Sequence, residues 1–110
     1  MELPYKDSLR VDETKITGYL LNEAASRGKA TFFLRLGFRP EQWEMLATAL
    51  KEQARNNRVT SMLDSAYGTR YSVDGPIVTP DNRQPRPTVR TVWIVETGTQ
   101  AQRLITAHPV

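Results

Sequence analysis

The chain has 110 residues and a mass of 12.5 kDa, with 39% apolar residues, 25% charged residues and a mean hydropathy of −0.50. This length predicts one domain over residues 1–110, and the mixed signs of charge favour a folded protein over a disordered one. The absence of cysteine excludes disulfides, thiolate zinc sites and cysteine nucleophiles. Neither a signal peptide nor a bilayer-spanning run is evident, so we expect a cytoplasmic protein that makes no membrane contacts.

The excess of positive charge is small, but an unusually large share of the basic residues is arginine. The 15 Lys and Arg residues against 12 Asp and Glu give a net charge of +3 and a pI of about 9.5, and 11 of the 15 are arginines. Guanidinium groups bind phosphate through a planar fork and stack on nucleobases. The many arginines could therefore serve to bind nucleic acid, or they could result from codon bias in a GC-rich genome. The positions of the arginines have to decide between these two explanations.

Helical patterns occupy the first half of the chain. Residues 12–14 carry helix-start side chains, and a helical face follows at Ile16, Tyr19 and Leu20. A second short helix is predicted over residues 29–36, ending at Gly37. The clearest pattern is an amphipathic helix that begins after Pro40 and ends at residues 55–57. Its apolar positions are Trp43, Leu46, Ala47, Leu50 and Ala54.

Alternating patterns occupy the second half. They predict strands over residues 59–63, 69–74, 88–96 and 103–107, and the second of these is interrupted at Gly75-Pro76 and resumes over residues 77–79. A proline-rich loop is predicted over residues 80–87. Residues 88–96 are β-branched and apolar on both faces, which is typical of a central strand covered on both sides. Helices followed by closely connected strands predict an α+β fold. In it, N-terminal helices pack on a C-terminal antiparallel sheet of about four strands.

Most familiar catalytic motifs are absent. The chain has no GxxxxGK[ST] or GxGxxG loop, and no cluster with metal-ligand spacing, so neither a cofactor nor a metal ion is expected. The only histidine, His108, is third from the end and is predicted to be a frayed terminal residue rather than part of a Ser-His-Asp site. Asp64 and Asp74 could act together in glycosidic chemistry, but both lie near predicted turns, where aspartate commonly makes local hydrogen bonds.

Basic and aromatic residues of the second half are the remaining candidates. Strand alternation places Arg70 on the face opposite Tyr71, and Arg90 on the face opposite Trp93. Residues 82–95 contain no acid but three arginines, Arg83, Arg86 and Arg90. A sheet with arginines on one face and rings nearby predicts an RNA-binding platform. Alternatively, Tyr71 and Trp93 are core residues and the arginines are ordinary solvent-facing positions.

Lys29 directly follows a glycine at the start of the predicted second helix. A positive charge there opposes the helix dipole at a cost of about 0.3–1 kcal/mol. Either the lysine is solvated and tolerated, or a nearby anion such as phosphate offsets the cost.

An ordered series of motifs runs through the chain: KITGYLLN, GKATFFLRLGF, a Trp-containing amphipathic helix, YGTRYSVDGPI and VRTVWIV. Over about residues 15–105 this series resembles a family of small bacterial toxin-like domains of unknown function. Such domains occur alone, in two-gene operons and at the C termini of secreted polymorphic toxins. Their context and predicted fold are similar to the barnase–EndoU–colicin–RelE-like ribonuclease superfamily, an analogy of fold and setting.

The resemblance implies recurrent polar positions at Lys29, Tyr67, Arg70, Tyr71, Asp74, Arg90, Thr91 and Trp93. The family pattern often has a histidine before the lysine segment, where this chain has Arg27-Gly28. A histidine-based mechanism is therefore not expected, and RelE-like enzymes, which cleave RNA with lysine, arginine and tyrosine, provide the precedent.

Three classes of function follow. The first is a metal-independent endoribonuclease toxin whose partners are RNA and a cognate antitoxin or immunity protein. Arg70 and Arg90 would stabilise charge on the phosphate, and Lys29 or Tyr71 would transfer protons. The predicted substrate-binding residues are Tyr67, Thr91, Trp93, Arg83 and Arg86. The second class is a non-catalytic RNA-binding or antitoxin-like module, and the third is a structural domain with no nucleic-acid role.

Overall fold

The computed structural model describes residues 1–110. Its first half contains strand β1 (Leu9–Arg10), helix α1 (Glu13–Lys15), a π-helical turn (Ile16–Leu20), helix α2 (Glu23–Arg35), a 3-10 turn (Pro40–Gln42) and helix α3 (Trp43–Asn56). Its second half contains strands β2 (Val59–Ser65), β3 (Gly68–Pro76), β4 (Thr88–Glu96) and β5 (Gln102–Pro109). The predicted α+β class, with N-terminal helices on a C-terminal sheet, is confirmed. No helix combines the length and the apolar character needed to cross a bilayer.

The sheet has five strands in the order β1-β5-β4-β3-β2. Strands β2 to β5 form the predicted antiparallel meander, whereas β1 pairs in parallel with β5 and was not predicted. A strand of two residues is too short for an alternating pattern to reveal it. Gly68 is required where the β2–β3 hairpin passes β4, because its φ is +141° and a Cβ there would clash with the backbone of Val95.

Two strand predictions are wrong. Residues 77–79 are not a strand: β3 continues to Pro76, and the N–H of Ile77 then bonds to the carbonyl of Pro87 outside the sheet. Strand β4 is central, as predicted, but its second face is only partly covered, since Ile94 alone is buried on it. Trp93 is buried, whereas Arg90 and Val92 on the other face are half-buried. β-branched residues such as Val92 are favoured in strands whether or not they are buried. The residue type of Val92 therefore did not indicate whether this face of β4 is covered.

Helix α2 bends near its start, and the bend positions Lys29. Asn22 caps the helix by accepting hydrogen bonds from the N–H groups of Ala24 and Ala25. Ser26 then leaves the helical conformation, with φ −148° and ψ 61°, and its hydroxyl donates to the carbonyl of Tyr19. The predicted second helix corresponds to the segment after this kink, so Lys29 lies in that segment's first turn.

Helix α3 confirms the amphipathic prediction and packs on β3 and β4 through a buried glutamine. Gln53 is 2% exposed, and its Nε2 donates to the carbonyls of Val73 and Val89, each at 2.9 Å. Its Oε1 accepts from the Thr91 hydroxyl at 2.8 Å, and the same hydroxyl accepts from Trp93 Nε1 at 2.8 Å. The side-chain amide of Gln53 therefore joins α3 to β3 and β4, and both its nitrogen and its oxygen have hydrogen-bond partners.

Replacing Gln53 with alanine should destabilise the fold by about 2–4 kcal/mol, because a cavity forms and the Thr91 hydroxyl loses its acceptor. Urea unfolding measures the loss. The control is Thr48→Ala, an exposed position on the same helix, which should change stability by less than about 0.5 kcal/mol. A Gln53→Ala variant as stable as that control would contradict the role given to the glutamine.

Candidate functional site

The sheet surface opposite α3 is here called the outer face. Cross-strand register builds three rows of side chains on it: Asp74–Arg90–His108, Ser72–Val92–Thr106 and Arg70–Ile94–Arg103. Most of these side chains are polar and at least partly exposed, whereas Ile94 is buried among them. The predicted opposition of Arg70 to Tyr71 and of Arg90 to Trp93 is confirmed.

An ion pair fixes the orientation of Arg90 in the first row. Its Nε donates to Asp74 Oδ1 at 2.7 Å and one Nη donates to Oδ2 at 2.9 Å, so the carboxylate is held on both oxygens. The hydrogen bonds from Arg90 lower the pKa of Asp74 below its ordinary value, and burial partly opposes them. The Nη1 group takes no part in the pair and remains available to a ligand, such as a phosphate, on the outer face.

His108 lies at the other end of this row, and the prediction that it is frayed is wrong. Strand β5 continues through it to Pro109, and His108 lies directly across from Arg90. The N–H of Val110 still bonds to the carbonyl of Thr88, at 3.3 Å, which holds the end of the chain against β4. The ring Nδ1 is 3.0 Å from the carbonyl oxygen of Pro109. If Nδ1 carries the proton and donates there, Nε2 of the neutral ring is an acceptor.

A second group of polar residues lies beside β5. Lys29 Nζ donates to the Tyr19 hydroxyl at 2.6 Å, and Lys15 Nζ lies 5.2 Å from the centre of the Tyr19 ring. The hydrogen bond from Lys29 is the main cause of a lowered pKa at Tyr19. The nearby Thr106 hydroxyl lowers that pKa further, although its Oγ1 makes no hydrogen bond of ordinary geometry. Neither lysine pairs with a carboxylate.

Thr106 joins the two groups into one surface. It lies on the same face of β5 as His108, two residues earlier, which corresponds to roughly 7 Å along the strand. The Lys29–Tyr19 pair therefore lies beside β5 near Thr106, with the Tyr19 ring packed against the core, and the Asp74–Arg90 pair lies beyond His108. Sequence reasoning missed Tyr19, because its place in an apolar helical pattern was interpreted as packing alone.

The other predicted site residues lie elsewhere. Tyr71, Thr91 and Trp93 are 9%, 0% and 0% exposed and belong to the inner face. Tyr67 is 80% exposed at the tip of the β2–β3 hairpin, at the opposite end of β3 from Asp74. The structure thus places Arg70 and Arg90 on the outer face and Lys29 beside β5, without the predicted aromatic residues.

The predicted loop over residues 80–87 carries the two remaining arginines away from this surface. Arg83 pairs with Asp81 at 3.3 Å, and Arg86 lines a hollow of about 160 Å³ at the end of α3, near Asn57. The alternative of paired carboxylates is wrong. Asp64 bonds to Thr69 near the hairpin tip, whereas Asp74 bonds to Arg90 at the far end of the sheet. No group of three or more His, Asp or Glu side chains is arranged to hold a metal ion.

Comparison with known proteins assigns the sequence to a family. One family model matches residues 2–110, which is nearly the whole chain. The chain belongs to the family described as Domain of unknown function (DUF6883). The predicted membership of a family of unknown function is therefore confirmed. No curated protein matches this DUF6883 domain.

The fold is similar to a chain of a solved complex described as a contact-dependent growth inhibition toxin–immunity protein complex from Klebsiella pneumoniae 342. The TM-score is 0.72, and the match covers 90% of this chain and 91% of that chain. Only 19% of the aligned residues are identical, so the likeness establishes a shared fold. The similarity to the barnase–EndoU–colicin–RelE-like superfamily stays a prediction.

Asp74→Asn should destabilise the protein at neutral pH, because Arg90 loses its carboxylate partner. Since folding lowers the pKa of Asp74, the pair stabilises fully above the unfolded value of about 3.8 and loses its effect as the pH falls through the folded value. Urea midpoints of variant and wild type should therefore differ at pH 7 and converge in acid. Asp12→Asn, whose partner Arg10 is 68% exposed, is the control and should change the midpoint less. An Asp74→Asn difference that does not vary with pH would contradict the assignment.

Lys29→Met should raise the pKa of Tyr19 towards its ordinary value of 10.0, because the hydrogen bond to the phenolate is lost. NMR titration of the tyrosine ring carbons measures this residue separately from the other three tyrosines. Lys51→Met, on α3, is the matched control and should leave the Tyr19 titration unchanged. An unchanged midpoint in the Lys29 variant would show that the contact does not form in solution.

Proposed function

We propose that this DUF6883 domain is the toxin of a bacterial toxin–immunity pair, and that its outer face is a metal-independent endoribonuclease site. The observation that carries the proposal is the row of His108 and Arg90, held by Asp74, beside the Lys29–Tyr19 pair. Two groups able to transfer protons, His108 and the Lys29–Tyr19 pair, thus lie on the β5 side of a guanidinium with a fixed orientation. Metal-free cleavage of RNA needs a base, an acid and positive charge at the phosphate.

Each residue has one role in the proposed reaction. His108 Nε2 accepts the proton of the 2′-hydroxyl, whose oxygen forms a bond to phosphorus as the bond from phosphorus to the 5′-oxygen breaks. Arg90 and the exposed Arg70 stabilise the negative charge on the phosphorane. Tyr19 donates its proton to the departing 5′-oxygen and regains one from Lys29. The products are a 2′,3′-cyclic phosphate and a 5′-hydroxyl.

The proposal changes two of the roles given by sequence reasoning. Tyr19 replaces Tyr71 as the proton-transferring phenol, because Tyr71 is only 9% exposed and faces the helices. His108 supplies, from the end of the chain, the histidine that is missing before Lys29. Buried Thr91 and Trp93 would position β4 without contacting RNA. Arg83, Arg86 and Tyr67 are exposed but lie away from this row, so they have no role in the proposed reaction.

Charge favours the toxin over the immunity component. The chain carries a net charge of +3, and its outer face presents arginine, lysine and histidine side chains. Such a surface complements RNA, whereas an inhibitor of an RNA-binding toxin needs negative charge to complement its target. The structural neighbour, a chain from a toxin–immunity complex, supports the same context. Action on cellular RNA would place the active domain in the cytoplasm.

The test is cleavage of total RNA by the purified protein in the presence of EDTA. His108→Ala and Lys29→Ala should each lower the rate by roughly 10²-fold or more, because each removes a proton-transfer group. Arg90→Lys keeps the charge but loses the fork, so it should also reduce the rate. Lys51→Ala removes a lysine from α3 and is the matched control, which should retain full activity.

Two results would overturn the proposal. Intact RNA after incubation with the wild-type protein, combined with harmless expression in cells, would exclude a ribonuclease toxin. Salt-dependent binding of RNA without cleavage would instead identify a non-catalytic RNA-binding module.

A further inference from the structure

Strand β2 forms one edge of the sheet, and most of that edge is open. The N-terminal segment covers only its start, where the N–H of Val59 bonds to the carbonyl of Met1 at 2.8 Å and Glu2 pairs with Arg58. Residues 60–65 have β3 on one side and no strand on the other. All six of their side chains are exposed. The open backbone is a template on which another strand can pair.

The usual protections of an edge strand are missing here. Natural sheets protect their edges with very short strands, lysine, proline or charges that point inward. The other edge follows this rule, since β1 has only two residues. Strand β2 has seven residues, VTSMLDS, and contains neither lysine nor proline. Its one irregularity, between Val59 and Ser61, lies next to the covered start.

Three of the five exposed large apolar side chains of the chain's second half lie on the same hairpin. Met62 is 55% exposed, Leu63 is 65% exposed, and Tyr67 at the tip is 80% exposed. Met62 lies across from Tyr71 and Leu63 across from Arg70, so the two side chains are on opposite faces of the sheet. A strand added beside β2 would contact Met62 from one face and Leu63 from the other.

Charge indicates what kind of strand fits. Arg58 precedes β2 and Arg70 lies across from Leu63, and neither makes an ion pair. Asp64, the one acid of β2, is hydrogen-bonded to Thr69. Thr69 is neutral, so Asp64 keeps its charge, and the two arginines against one aspartate leave a net positive charge near this edge. A second copy of the chain would bring the same arginines to the contact, which like-charge repulsion opposes.

We propose that residues 60–65 of β2 are the docking edge for a partner protein, which adds an extended strand carrying acidic and apolar residues in alternation. The added strand would be the sixth of the sheet. Its carboxylates would lie on the face of Leu63 and meet Arg70 and Arg58, and its apolar side chains would lie on the other face and cover Met62. The inference does not depend on ribonuclease activity, because none of residues 60–65 takes part in the proposed reaction and Arg70 would attract carboxylates whether or not it also binds phosphate.

The probe is a synthetic, disulfide-closed hairpin peptide whose free strand alternates valine and glutamate. It should shift the amide NMR signals of residues 60–65 and slow their hydrogen exchange. Met62→Glu combined with Leu63→Glu should weaken binding by at least about tenfold, because Met62 loses its apolar contact and the added carboxylates repel the glutamates of the probe. Met45→Glu changes an exposed methionine of α3 and is the matched control, with binding unchanged. RNA cleavage by the double variant should equal that of the wild type.

Several outcomes would overturn the proposal. Signal shifts confined to another surface would exclude the β2 edge, and equal binding of a peptide with lysine in place of glutamate would exclude recognition by charge. Sedimentation of the wild type as a dimer that the double variant abolishes would assign the edge to a second copy. Since both substituted side chains are exposed, unfolding should change little, and Met62→Ser provides a milder variant if it does.

Discussion

The buried amide of Gln53 is the constraint on which the rest of the site depends. A primary amide has two donor hydrogens and one carbonyl oxygen, and Gln53 uses them on β3, β4 and Thr91 without leaving a buried group unpaired. Because the two strand carbonyls belong to neighbouring strands, the amide holds those strands in one register under α3. That register sets Asp74 across from Arg90, so a core contact on the inner face determines an ion pair on the outer face.

Strand alternation lets a small domain use both faces of its sheet. In β4, Trp93 and Thr91 fill the core, while Arg90, one position away, reaches solvent. The other polar groups come from irregular parts of the chain. Tyr19 lies in a π-helical turn and Lys29 follows a kink in α2, and such departures from regular helix are frequent at functional sites. Regular elements build the platform here, and irregular ones bring the side chains to its edge.

Much of the fold was predictable because its patterns are local. The apolar period from Trp43 to Ala54 predicts α3, and the alternation of residues 88–96 predicts β4 and the opposite directions of Arg90 and Trp93. The proposed site was only partly predictable. His108 faces Arg90 through a pairing of strands, which no single segment encodes. Tyr19 and Lys29 meet only because Ser26 interrupts the helix between them. A sequence pattern reveals which face a residue takes, but not which residues of other elements share it.

The proposed reaction site and the proposed docking edge meet at Arg70. Strand β2 lies three strand spacings from β5, or roughly 14 Å, so a strand added beyond β2 would leave His108 and Tyr19 uncovered. Arg70, however, lies between them, across from Leu63 on one side and Ile94 on the other. Carboxylates docked beside Leu63 would neutralise a cation that the reaction uses for the phosphate. The partner and RNA would then compete for the positive charge of Arg70 rather than exclude each other sterically. Added salt would weaken both interactions in parallel.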